Sequence, residues 1–84
     1  MGTINFKGEI MMLATVKIDT IEKVKDFVNK VNTIDTDVDL KCDKYTVDAK
    51  SIMGIFSLDL SKELTLVYSD SEVVNVLKDY IVGE

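Results

Sequence analysis

Lys50-Ser51-Ile52-Met53-Gly54-Ile55-Phe56-Ser57-Leu58 is the stretch on which the fold turns. It is a short apolar run opened by a serine. Ser51 suits the N-cap of a helix, because a serine hydroxyl accepts a backbone N–H bond that the first helical turn leaves without a partner. The run is short and Gly54 interrupts it, so periodicity alone does not establish a helix. What surrounds the run is more informative.

Upstream, Thr36-Asp37-Val38-Asp39-Leu40-Lys41-Cys42 alternates polar and apolar residues, as a half-buried strand does. Tyr45-Thr46-Val47-Asp48-Ala49 resumes the alternation after Asp43-Lys44, a tight turn, and together these read as a β-hairpin. Further back, Ile21, Val24, Phe27, Val28, Val31 and Ile34 recur at helical spacing, with Glu22, Lys23, Lys25, Asp26 and Lys30 on the other face. Asp19 or Thr20 caps this helix, and Glu22 complements the positive first turn. The run Ile10–Val16, between Gly8 and Asp19-Thr20, suits a buried strand that takes Met11 and Met12 into strand and core.

Downstream, Glu63–Tyr68 reads as a fourth strand. Ser69 and Glu72 have capping-box spacing before a last helix, with Val73, Val74, Leu77, Tyr80 and Ile81 on one face and Gly83 at its end. The order β-α-β-β-α-β-α predicts an α+β domain, residues 1–84, with one antiparallel sheet and helices packed on one face.

Composition narrows the function classes. The 84 residues carry a net charge of −5, one Cys, no Pro and no His. One cysteine gives no disulfide framework, which suits a reducing, cytoplasmic setting. Cys42, in a strand with no second Cys or His, reads as a buried structural thiol. No apolar run reaches membrane-spanning length, the N-terminal residues lack the basic start of a signal peptide, and Phe6 breaks the myristoylation pattern. The acidic balance disfavours nucleic acid. The missing histidine removes the commonest acid–base residue and metal ligand, and no cofactor is expected. Asp35, Asp37 and Asp39 lack the glycine and terminal glutamate of a calcium loop and read as a solvated sheet face.

The segment Lys50–Leu58, with Asp35-Thr36-Asp37-Val38-Asp39-Leu40 and Thr46-Val47-Asp48-Ala49 before it, resembles the regulatory-serine region of HPr. HPr is the small phosphocarrier of the bacterial phosphoenolpyruvate-dependent sugar phosphotransferase system. The likeness runs without gaps from about Ile34 to Leu60; the first strand and helix match in pattern only, and a few N-terminal residues are additional. It implies an open-faced β-sandwich, a four-stranded antiparallel sheet covered on one face by three helices.

HPr carries its phosphoryl group on a histidine inside a Gly-x-His-Ala-Arg-Pro-like motif. Carrying the alignment back from Ser51 sets Thr20 at the histidine, Glu22 at the arginine and Lys23 at the proline. A threonine ester is too stable to pass phosphoryl on, and a carboxylate repels the phosphate that an arginine would hold. The resemblance therefore implies a non-catalytic, histidine-lacking family member, a regulatory or protein-binding module. In the family a dedicated kinase phosphorylates the serine matching Ser51, and the product binds a transcriptional regulator. Histidine-lacking paralogues that keep the serine act as regulators. Lys50 adds a nearby cation, whereas the resemblance sets Glu22 close to Ser51, where it would oppose a phosphate. The residues matching Ile52, Met53 and Phe56 form an apolar docking patch, so the implied partner face is Thr20, Glu22, Ile52, Met53 and Phe56. Implied partners are proteins of the sugar system, its serine kinase and transcriptional regulators. The alternatives are a phosphocarrier using another acceptor, such as Asp19, and a diverged accessory domain without phosphorylation.

Overall fold

The computed structural model describes residues 2–6 and 9–83, with side chains from Met11 onward. The elements run β1 (Gly2–Phe6), β2 (Glu9–Val16), α1 (Ile21–Val31), β3 (Val38–Cys42), β4 (Tyr45–Asp48), α2 (Ile52–Phe56), β5 (Leu64–Tyr68), α3 (Glu72–Val76) and β6 (Ile81–Gly83). Every strand pairing is antiparallel, in the order β1-β2-β5-β3-β4, with β6 also on β2. The α+β class and the open sheet hold. The four expected strands form the block β2-β5-β3-β4, and two more widen it. One edge of β2 faces β5. Its other edge is shared end to end by β1, opposite Glu9–Leu13, and β6, opposite Thr15 and Val16.

Strand alternation separates the two faces of the sheet. Ala14, Val16, Val38, Leu40, Cys42, Leu64, Leu66 and Tyr68 join Val24, Phe27, Val31, Ile55, Val73 and Leu77 of the helical layer in one core. On the other face Thr15, Thr65, Lys41 and Thr46 form a polar row across four strands, and no helix residue packs there in that core. Met12 packs on the core and Met11 is buried outside it, so both fall in the strand as expected. Cys42 is buried. Asp35 and Asp37 are exposed but precede β3 and so are not on the sheet, and Asp39, on β3, is half-buried. Burial, then Asp48 directly across the hairpin and Asp37, raise the Asp39 carboxyl above its usual range. Gly8, read as the boundary before the first long strand, lies outside the described residues.

The hairpin forms at Asp43-Lys44, with Cys42 opposite Tyr45. Asp43 has φ 55°, in the left-handed region that aspartate tolerates better than residues with bulkier branches. Asp43→Val is expected to cost about 1–2 kcal/mol and Asp43→Gly close to nothing, as read from urea midpoints.

The C-terminal segment departs from expectation. The last helix stops at Val76, and Ile81 and Val82 enter β6 instead of completing a helical face. The Ser69–Glu72 capping box does not form. Asp70 takes the Glu72 N–H at 2.9 Å, and Ser71 is the N-cap without a side-chain bond. The apolar spacing fits a helix, but the segment is rich in β-branched residues, and the open edge of β2 offers ladder bonds. Tyr80 makes the join. Its ring packs edge-on to Phe27 at 5.7 Å, its O–H donates to Asp26, and its carbonyl accepts from Lys17 N–H at 3.0 Å.

Burial, and then the bond to Asp26, push the Tyr80 hydroxyl up from its ordinary 10.0 to about 12. The neutral phenol is thus the form the fold stabilises. Its contribution is complete below pH 10 and is lost as pH rises through about 12. A melting-temperature titration is expected to show a loss across this range that Tyr80→Phe removes.

Candidate functional site

Two exposed hydroxyl residues each cap a helix in the layer that covers the sheet. Thr20 is extended (φ −128°, ψ 158°), and its Oγ1 accepts from Lys23 N–H at 3.2 Å. Ser51 is likewise extended (φ −101°, ψ 111°), and its Oγ accepts from Gly54 N–H at 3.2 Å. Of the two candidates for capping α1, Thr20 does it. Asp19 instead holds Lys23 Nζ at 3.1 Å, and that bond and charge keep its carboxyl below the usual range. Glu22 is exposed in the first turn of α1.

Gly54, which blurred the helical reading, has a packing reason. A Cβ there would stand 3.3 Å from Val47 Cβ and 3.4 Å from Ser51 Oγ. A glycine lets α2 approach β4 closely and leaves the Ser51 hydroxyl room to cap. Ile55 of α2 and Leu58 just beyond it are buried and hold the short helix on the sheet.

The position of Ser51 relative to α1 is fixed by Asn32. Its Nδ2 donates to Val28 O at 2.8 Å and to Lys50 O at 3.3 Å. Ser51 therefore begins α2 beside the C-terminal end of α1. Glu22 lies ten residues back, roughly 15 Å along the helix axis at 1.5 Å per residue. Glu22 therefore stands at the opposite end of α1 from the Asn32–Lys50 bond. Lys50 is not a free cation. Its Nζ is half-buried and donates to Ile34 O at 2.6 Å.

The apolar residues of this layer divide clearly. Met53 is 76% exposed and Phe56 40%, whereas Ile52 is half-buried and packs on the core. Sequence reasoning missed Ile21. Read as a core position, it is 58% exposed in the first turn of α1, next to Thr20. At about 100° per residue it falls roughly 85° from the centre of the buried Val24–Phe27–Val31 stripe, beyond even half-buried Val28. That angle was available from the sequence. Three of the five large hydrophobic side chains exposed among the described residues therefore lie on α1 and α2.

Comparison with known proteins decides the family. The family model described as the PTS HPr component phosphorylation site matches residues 22–76, well over half of the sequence and including the whole Ser51 segment. The chain belongs to the HPr family. Among solved structures, HPr-C-His from Thermoanaerobacter tengcongensis is similar, with a TM-score of 0.70 at 27% identity over 81% of this chain and 88% of that one. The phosphocarrier protein HPr from Bacillus anthracis str. Ames gives a TM-score of 0.64 at 27% identity over 82% and 90%. No curated protein matches the chain. Membership in the family implies dealings with proteins of the sugar phosphotransferase system. This chain contains neither histidine nor arginine, and no helix among the described residues is long and apolar enough to cross a membrane.

Proposed function

We propose that this protein is a non-catalytic member of the HPr family that binds other proteins of the sugar system and does not relay phosphoryl groups. The observation that carries the reading is the absence of histidine from the entire sequence. The resemblance sets Thr20 at the family's acceptor position, and its hydroxyl caps α1. What remains of the family site is a docking face, Thr20, Glu22, Ile52, Met53 and Phe56, extended here by Ile21. A flexible methionine and an aromatic side chain, both exposed, suit adaptable protein contact.

In this reading Ser51 is the regulatory position, phosphorylated by a serine kinase in the cytoplasm and then read by a transcriptional regulator. Its hydroxyl is exposed and stands at the start of α2. Phosphorylation adds about −1.5 to −2 charges. With Lys50 turned to Ile34, the neighbouring cation leaves that charge for a partner to meet.

The test is mass spectrometry after separate incubation with the system's serine kinase plus ATP and with its phosphoenolpyruvate-dependent kinase. The expected product is a single phosphate on Ser51, from the first only, that Ser51→Ala abolishes. Phosphoryl uptake from the second kinase overturns the reading. Modification by neither removes Ser51 regulation and leaves the docking face to be judged by substitution. Met53→Asp and Phe56→Asp are expected to weaken binding to the serine kinase or the phosphoenolpyruvate-dependent kinase at least about tenfold, with the fold intact by circular dichroism. Unchanged affinity for both would sink the docking face.

A further inference from the structure

The sheet ends in two unequal edges. The β4 edge is only four residues long, follows Lys44 and carries Asp48. Short length and charge are the usual devices that stop one edge from pairing with another. At the opposite end β1 is also short, at five residues, and Lys7 follows it, but no charge lies within it. Gly2–Phe6 contains no proline, and its register on β2 runs unbroken from Gly2 opposite Leu13 to Phe6 opposite Glu9. Among the described residues no strand pairs with its outer side.

We propose that the outer edge of β1 pairs with β1 of a second copy, antiparallel about a two-fold axis at Ile4. This register sets Gly2 opposite Phe6, Thr3 opposite Asn5 and Ile4 opposite itself. Polar residues meet polar ones, an aromatic meets the glycine, and no like charges oppose each other, so the strand is its own complement. The symmetry is closed and isologous, which makes a dimer and stops there. The sheets of the two copies become one, with the helical layers of both on the same side. Two five-residue strands bury far less than the ~1,000 Å² of a durable interface, so the association is weak and reversible.

The test is sedimentation equilibrium of the full chain over a concentration series. The apparent mass is expected to rise from one chain toward two between about 10 µM and 1 mM, the range for an interface this small. Ile4→Lys places two ammonium groups across the axis and is expected to weaken association at least about tenfold. The double substitution Thr3→Lys, Asn5→Glu sets opposite charges across the axis and is expected to tighten it about two- to tenfold in low salt, which guards against Ile4→Lys merely unseating β1. A single-chain mass throughout the series, or a dimer indifferent to both variants, overturns the proposal. So does a dimer that survives dilution, the mark of exchanged strands in which β1 lies on the other copy's β2.

Discussion

Phe27→Ala is expected to remove about 3–5 kcal/mol of stability, the usual cost of emptying a buried aromatic site. Phe27 is fully buried in the centre of α1 and meets the Tyr80 ring edge-on at 5.7 Å. For 84 residues, total stability is of order 4–13 kcal/mol, at roughly 0.05–0.15 kcal/mol per residue, so the loss takes a large part of it. The damage extends beyond the cavity. Tyr80 also holds Asp26 through its hydroxyl and Lys17 through its carbonyl, and β6 follows it directly. With its ring contact gone, the C-terminal strand loses its anchor on α1. Urea denaturation is expected to show a midpoint lowered by at least about a quarter, or no folded baseline. Phe56→Ala is the control. The same residue type, 40% exposed, should shift the midpoint only slightly while weakening docking. Equal effects of the two substitutions would contradict both the core and the docking face.

That contrast also marks how far the sequence was legible. Periodicity located the Val24–Phe27–Val31 stripe because three helical positions buried together are chemically distinct from their neighbours. It placed Ile21 wrongly, because an isoleucine has the same letter on either side of a stripe's margin. The hairpin was readable from its alternation, even with Asp43 rather than a glycine at the positive-φ position. β1 and β6 were not readable. Gly2–Phe6 is too short and featureless to declare a strand, and it becomes one only when β2 supplies a partner. Val73, Leu77, Tyr80 and Ile81 have helical spacing, yet the chain makes one short helix, a turn and a strand from them. In each case a distant edge settled what the local pattern left open, which is why strand propensity depends so heavily on context.

For the site, the residue types were legible and their arrangement was not. Ser51 capped α2 as its chemistry suggested. The place of Ser51 by the C-terminal end of α1 could not be read, because it depends on Asn32 joining that end to Lys50 across eighteen positions of sequence. Lys50 likewise looks like a free cation in the sequence, and only the fold brings the Ile34 carbonyl to it.

The parent protein is expected to take up no phosphoryl group from the phosphoenolpyruvate-dependent kinase of the sugar system. Transfer needs an acceptor that forms a labile bond and a cation that steadies the phosphate as charge develops. The chain has no histidine for the first and no arginine for the second, and the resemblance to HPr implies Glu22 where the cation belongs. Thr20→His supplies the acceptor alone and is expected to label slowly. Adding Glu22→Arg replaces a repelling carboxylate with a bidentate donor, and is expected to raise the rate at least about hundredfold, the scale on which single charge-stabilising donors act. The first substitution also removes the cap on Lys23 N–H, at a cost of about 1 kcal/mol, so melting curves must accompany the rates. The label on the double variant should be lost in mild acid, as a nitrogen-bound phosphoryl is and a threonine ester is not. A label on the parent that mild acid spares and hydroxylamine removes would show that a carboxylate, Asp19 first among them, still carries phosphoryl. A double variant that folds and docks but never labels would mean that Thr20 is not the acceptor's place.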